Sequence, residues 1–106
     1  MYNRLNIVYG LVILFALCLF SSVVASASTI VQISCGGFHS LALKSDGTVW
    51  AWGLNIHGQL GDGTLNGHLV PSQIPGLSSI RQVIAGFIES YAIDTNGVVF
   101  SWGAST

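Results

Sequence analysis

Trp52-Gly53-Leu54-Asn55-Ile56-His57-Gly58-Gln59-Leu60-Gly61 is the stretch on which the fold turns. It begins at the end of an aromatic, β-branched run, Thr48 to Trp52. Glycine then recurs at positions 58, 61, 63 and 67, with no strand-forming run until Leu69-Val70. Glycine at these intervals marks a long connection, and one of more than ~12 residues inside a compact domain is either functional or packed by its own side chains. Pro71 and Pro75 then bracket a short segment suited to a sheet edge, where a missing N–H costs least. Working back from Trp52, Ser45-Asp46-Gly47 joins that run to the apolar Ser40 to Lys44, and Gly36-Gly37 separates the latter from Ile30 to Cys35. An Asp-Gly pair between apolar runs predicts a hairpin, because glycine accepts positive φ and aspartate tolerates it. No helix is predicted beyond residue 27, since Gln73 to Gly86 lacks a 3.6-residue period and Pro75-Gly76 interrupts it.

The pattern returns fifty positions later. Gln32 falls on Gln82, Gly36 on Gly86, Ser40 on Ser90, Ala42 on Ala92, Gly47 on Gly97, Val49 on Val99 and Trp52-Gly53 on Trp102-Gly103. Ile33 meets Val83, Leu43 meets Ile93, Asp46 meets Asn96 and Trp50 meets Phe100. One all-β unit has been copied, and roughly four short strands per unit is the size of a β-propeller blade.

With Gly36-Gly37-Phe38-His39-Ser40-Leu41-Ala42-Leu43 and Asp46-Gly47 upstream, the W-G-x-N-x-x-G-Q-L-G run resembles the repeat of the regulator of chromosome condensation family. The resemblance covers about residues 30 to 103. It implies an all-β fold, a partial β-propeller of about one and a half four-stranded blades. It also implies structural roles for Gly36, His39, Ser40, Asp46, Gly47, Trp52, Gly53, Asn55, Gly58, Gln59, Leu60, Gly61, Gly86, Gly97, Trp102 and Gly103, with His39 making a blade-stabilising hydrogen bond. The copies are unequal: Glu89 stands where the first unit has His39, and Phe87-Ile88 where it has Gly37-Phe38. A repeat cannot bury its faces alone, and Trp50, Trp52, Phe100 and Trp102 would stand partly in water. The expectation is either a piece of a longer reading frame or a subunit that completes a ring by self-assembly.

The start of the chain has a different character. After Arg4, residues Ile7 to Phe20 form an unbroken apolar run, followed by Ser21, Ser22 and Ala25-Ser26-Ala27. The run is short for a membrane span, which takes ~20 residues, and small side chains occupy both positions a signal peptidase reads. An N-terminal hydrophobic signal helix over residues 1–27, cleaved after Ala27, is therefore expected ahead of a repeat region at 28–106. The alternative is an uncleaved anchor over residues 7–25, and only in that case is a membrane a partner. The expected location is secreted or at the cell envelope.

Of the 106 residues only 7% are charged, and beyond residue 27 Lys44 and Arg81 face Asp46, Asp62, Glu89 and Asp94. That balance offers no footprint for a nucleic-acid backbone. Cys35 is then the one cysteine, and its place at the end of an apolar run predicts a free, buried thiol. His39, His57 and His68 with Cys35 do not make a zinc pattern, which needs three or four convergent ligands. Gly58 to Gly63 lacks the lysine of a phosphate loop, and no serine sits in a nucleophile elbow. No metal, cofactor or catalytic residue is expected. The expected function is a non-enzymatic interaction or scaffold module for a protein partner, with Leu65, Asn66, Gly67 and His68 as the binding loop. The alternatives are guanine-nucleotide exchange, which the resemblance implies, and carbohydrate binding, which export and the tryptophans would suit.

Overall fold

A computed structural model describes residues 28–104. The expected leader or anchor at residues 1–27 lies outside the described residues. Among them are strands β1 (Ile30–Cys35), β2 (His39–Lys44), β3 (Val49–Gly53), β4 (His68–Gln73), β5 (Ile80–Ala85), β6 (Glu89–Asp94) and β7 (Val99–Gly103). The first four form one antiparallel sheet in sequence order, and the last three form a second. One four-stranded sheet plus three strands is somewhat more than the one and a half blades expected.

The fifty-residue repeat is reproduced pair for pair. Ile33 lies opposite Ala42 as Val83 lies opposite Ala92, and Leu41 opposite Ala51 as Tyr91 opposite Ser101. The register slips at the same place in both sheets, after Ile30 and after Ile80. The β2–β3 hairpin turns at Gly47, with φ of 80°, and the Asp46 Oδ1 accepts from the Thr48 amide at 3.0 Å and its hydroxyl at 2.6 Å. Those bonds hold the Asp46 carboxyl below its ordinary range. In the second hairpin Asn96 stands at the place of Asp46, and the cap passes to Asp94, whose Oδ1 accepts from the amides of Asn96 and Val98, each at 2.9 Å.

The two sheets bury a shared core. Leu41, Leu43, Val49 and Ala51 come from the first sheet, Leu60 and Ile74 from connections, and Ile80, Val83 and Ala92 from the second side. Each large side chain so buried contributes roughly 1.5–3 kcal/mol. Around this core β1 behaves unexpectedly, because it turns its polar residues inward. Gln32 Nε2 donates to the Val83 carbonyl at 2.8 Å while its Oε1 accepts from the Val83 amide at 2.9 Å, and Ser34 Oγ accepts from the Ala85 amide at 2.8 Å.

The alternation that sends Gln32 and Ser34 toward the second sheet sends Ile33 and Cys35 the other way. Cys35 is thus a free but exposed thiol, which corrects the buried one expected from the apolar character of β1. No sheet among the described residues covers that face, so apolarity here does not mean burial. Pro71 falls inside β4 rather than bounding it, and β4 is an outer strand with its residues mostly exposed. At such an edge the absent N–H leaves no ladder bond unmade.

Candidate functional site

The connection between β3 and β4 is organised by one amide. Asn55 is fully buried, and its Oδ1 accepts from the Leu60 amide at 2.9 Å. Its Nδ2 hydrogens are shared among the Thr64 carbonyl at 2.9 Å, the Asn66 carbonyl at 3.0 Å and the Asp62 Oδ1 at 3.1 Å. A carboxamide suits this place because it offers an acceptor and two donors on one planar group. Asp62 also accepts from the Thr64 amide at 2.9 Å and its hydroxyl at 2.8 Å, which keeps its carboxyl below the ordinary range. Gly58 and Gly61 lie at φ of 77° and 69°, closing two consecutive tight turns that other side chains adopt only with strain.

Those turns drive Leu60 into the core and place the Gln59 backbone between the sheets. The Gln59 carbonyl accepts from Ser90 Oγ at 2.8 Å and from Trp102 Nε1 at 2.8 Å. Ser90 Oγ in turn lies 2.8 Å from His39 Nε2. Since Ser90 gives its only hydrogen to Gln59, His39 Nε2 must be the donor, which fixes the neutral imidazole with a bare Nδ1. A polar relay thus runs from β2 through β6 and β7 to the loop of the first sheet.

The other motif glycines make room for this relay. A Cβ at Gly36 would collide with the His39 ring, and one at Gly86 would stand 2.7 Å from Glu89 Oε2. At Gly53, with φ of 113°, a Cβ would stand 2.8 Å from the His39 Cα; Gly103 repeats this geometry beside Glu89, and Gly97 repeats the turn of Gly47. Ser40 and Trp52, the counterparts of Ser90 and Trp102, pair with each other on the free face of the first sheet.

His39 burial pushes its pKa below the ordinary 6.5, an effect that neighbouring Glu89 partly offsets through its peptide and its carboxylate. The unfolded chain therefore takes up this proton at a higher pH than the folded one. The relay's contribution is complete above pH 6.5 and declines as pH falls toward the folded pKa. Thermal melts should show the full chain losing stability as the pH falls below 6.5, with a shallower loss in His39→Gln. Equal slopes in the two proteins would place the titration elsewhere.

Beyond its anchored base the loop is open. Leu65 is 65% exposed, and Asn66 and Gly67 are exposed beside it. His68 opens β4 instead of extending the loop, pairing with Gly53; its Nδ1 donates to the Val70 carbonyl at 2.9 Å and its Nε2 lies 3.5 Å from the Asp62 carboxylate. A groove of about 410 Å³ runs along this tip, lined by Phe38, Gly53, Leu54, Gly67, His68 and Leu69. Phe38 and Phe87, from corresponding turns of the two repeats, meet edge to face at 5.9 Å between ring centres. Among the described residues no three metal-binding side chains converge.

Sequence reasoning singled out the loop and its glycines but overlooked Gln32, Ser34 and Asp62. A signal for Gln32 was present, since it recurs as Gln82 inside an otherwise apolar strand. A polar residue repeated within an apolar strand has a backbone to satisfy.

Residues 30–59 and 46–87 match the Regulator of chromosome condensation (RCC1) repeat. A 48-residue stretch is 52% identical to the RCC1 domain-containing protein RUG3, mitochondrial, of Arabidopsis thaliana, covering 45% of this chain and 11% of that protein. Human WBSCR16 superposes with a TM-score of 0.68 at 32% identity, over 73% of this chain and 20% of that one. Yeast RCC1 (Prp20), in its structure bound to Kap60, superposes with a TM-score of 0.66 at 26% identity, over 72% of this chain and 20% of that one. The chain thus spans about a tenth of the curated relative and a fifth of the solved ones.

Proposed function

The chain belongs to the RCC1-like repeat family, and we propose that it is a non-enzymatic interaction module whose loop tip contacts a protein partner outside the cell or at its envelope. One observation carries this reading: a loop rigid at its base, where Asn55 and Asp62 are bonded, and open at its tip, where Leu65 is exposed and Gly67 lines a groove together with Phe38, Leu54 and Leu69. A preorganised apolar tip binds with little ordering cost, and loops on a rigid scaffold are where such folds carry recognition. The yeast relative is seen with a protein, Kap60, which favours a protein as the class of partner here.

Export rests on the apolar run Ile7 to Phe20 and the small residues Ala25 and Ala27. Recovery of chain beginning at Ser28 outside the producing cell is the expected result, and intact chain inside it would overturn export. A photo-reactive residue replacing Leu65 in the full chain should give a discrete covalent adduct, whereas one replacing Ser45, in the β2–β3 turn, should give none. Leu65→Asp should abolish recognition while shifting stability by no more than ~0.5 kcal/mol, as exposed substitutions do. Adducts at both positions, or at neither, would overturn the loop as the contact.

A further inference from the structure

Two asparagine-glycine pairs stand on the surface, Asn66-Gly67 in the loop and Asn96-Gly97 in the second hairpin, and all four residues are exposed. Asparagine before glycine is open to attack from within the chain, because the glycine nitrogen can reach the side-chain carbonyl carbon and no Cβ stands in its way. That attack needs the nitrogen unengaged. The Gly97 amide donates to the Asp94 carbonyl at 3.0 Å, and Asp94 Oδ1 holds the amides of Asn96 and Val98 on either side. The Gly67 amide donates to no group among the described residues.

Both hydrogen bonds at Asn66 belong to its backbone, whose amide donates to Thr64 Oγ1 at 3.3 Å and whose carbonyl accepts from Asn55 Nδ2 at 3.0 Å. Its side chain is therefore free to swing onto the Gly67 nitrogen. The Asn66 carbonyl and the Gly67 N–H are two ends of one peptide group, so when the nitrogen gives up its proton, negative charge moves onto that carbonyl oxygen. The buried Asn55 amide already points at it, and a donor so placed stabilises the anion as it forms. Nor can Gly67 be exchanged to quiet the site, since a Cβ there would stand 2.7 Å from the Gly53 carbonyl oxygen.

We propose that Asn66 is a self-modifying site, converting through a succinimide to aspartate and isoaspartate and so charging the loop tip. The Gly67 nitrogen loses its proton and bonds to Asn66 Cγ; the Cγ–Nδ2 bond breaks, and ammonia leaves with that proton. Water then opens the ring, its hydroxyl going to a carbonyl carbon and its hydrogen back to the nitrogen. Addition at Cγ gives aspartate. Addition at the backbone carbonyl carbon gives isoaspartate, in which the chain runs through Cβ and the former carbonyl ends as a free carboxylate. No oxidant or reductant takes part. Either product sets a negative charge beside Leu65, and isoaspartate also removes from the backbone the carbonyl that Asn55 grips. The chemistry stands apart from the reading of the tip as a contact, and it gives any such contact a finite lifetime.

The test follows the full chain at neutral and mildly alkaline pH, folded and in denaturant, with trypsin digestion and mass spectrometry. Cleavage after Lys44 and Arg81 puts Asn66 and Asn96 in separate peptides, residues 45–81 and 82–106. In the folded chain, exchange of ammonia for water should appear in 45–81, be assigned to Asn66 by fragmentation, and run about tenfold faster than in 82–106. That is the delay expected from a hydrogen bond that must open before Gly97 attacks. The reaction should quicken with pH, as attack by a deprotonated nitrogen requires. In denaturant the two peptides should react at similar rates, because only the fold tells the pairs apart. Asn66→Gln, which would have to close a larger ring, should silence 45–81 and leave 82–106 unchanged.

Equal rates in the folded chain, a faster 82–106, or an Asn66 that reacts only in denaturant would each overturn the proposal. None of these readouts involves a partner, so failure of the loop contact and failure of this site are separable.

Discussion

Asn55→Ala should unfold much of the first sheet's loop and lower the melting temperature of the chain by roughly 15–30 °C, corresponding to a loss of about 4 kcal/mol. The side chain is fully buried and its loss strands the Leu60 amide together with the Thr64 and Asn66 carbonyls. Each buried polar group left without a partner costs about 1–3 kcal/mol. Folded domains hold only ~5–15 kcal/mol in reserve, so a loss of this size is a large fraction of the whole. Asn55→Asp separates bonding from shape. It keeps an oxygen for the Leu60 amide but sets a second carboxylate beside Asp62, so it should cost nearly as much at neutral pH and recover in part in acid, when one carboxyl is protonated. Circular dichroism melts at two pH values decide the matter, and an Asn55→Asp protein melting like the parent at pH 7 would show that the donors are dispensable.

Leu60→Ala should cost about 3 kcal/mol and weaken the joint between the sheets more than either sheet alone. Leu60 is 1% exposed within the core that both sheets share, and it neighbours the Gln59 carbonyl that holds Ser90 and Trp102. Truncating a buried leucine removes its transfer energy and leaves a cavity that the surroundings fill incompletely. The measurable signature is tryptophan fluorescence. Trp102 should move toward water along with the loss of stability, whereas Trp50, held by Thr48 Oγ1 at 3.2 Å and under Lys44 at 3.9 Å from the ring centre, should not. Trp50→Phe and Trp52→Phe together isolate the Trp102 signal. Unchanged emission in Leu60→Ala would mean that the loop and the second sheet are not coupled through this side chain.

Much of this architecture was legible in the chain. Strand positions followed from β-branched runs divided by Asp-Gly and Gly-Gly turns, and a fifty-residue self-match set both sheets in one register. The glycines and amides of the 52–61 run identified the loop that plugs the joint. The direction in which β1 faces was not legible. Its apolar residues Ile33 and Cys35 read as core, yet alternation fixes only that two sets of side chains diverge, and the position of the neighbouring sheet decides which set is covered. The resemblance implied a hydrogen bond from His39, but its partner Ser90 could not be read, because the bond joins residues from different sheets. His68 was drawn into the strand by its pairing with Gly53, a long-range effect that overrides the polar, glycine-rich sequence before it.

The inward amides of β1 also bear on how such a molecule tolerates change. Gln32 and Ser34 reach the N–H and C=O groups of β5, which every residue except proline presents alike. A joint held this way reads the path of the neighbouring strand and is indifferent to much of its composition. Arg81 and Ile84 are therefore free to vary without undoing it, while a proline at position 83 or 85 would erase a donor that the joint addresses directly. Drift in side chains and persistence of assembly are thereby separated, so a chain can lose the outward likeness of its repeats and still hold their spacing.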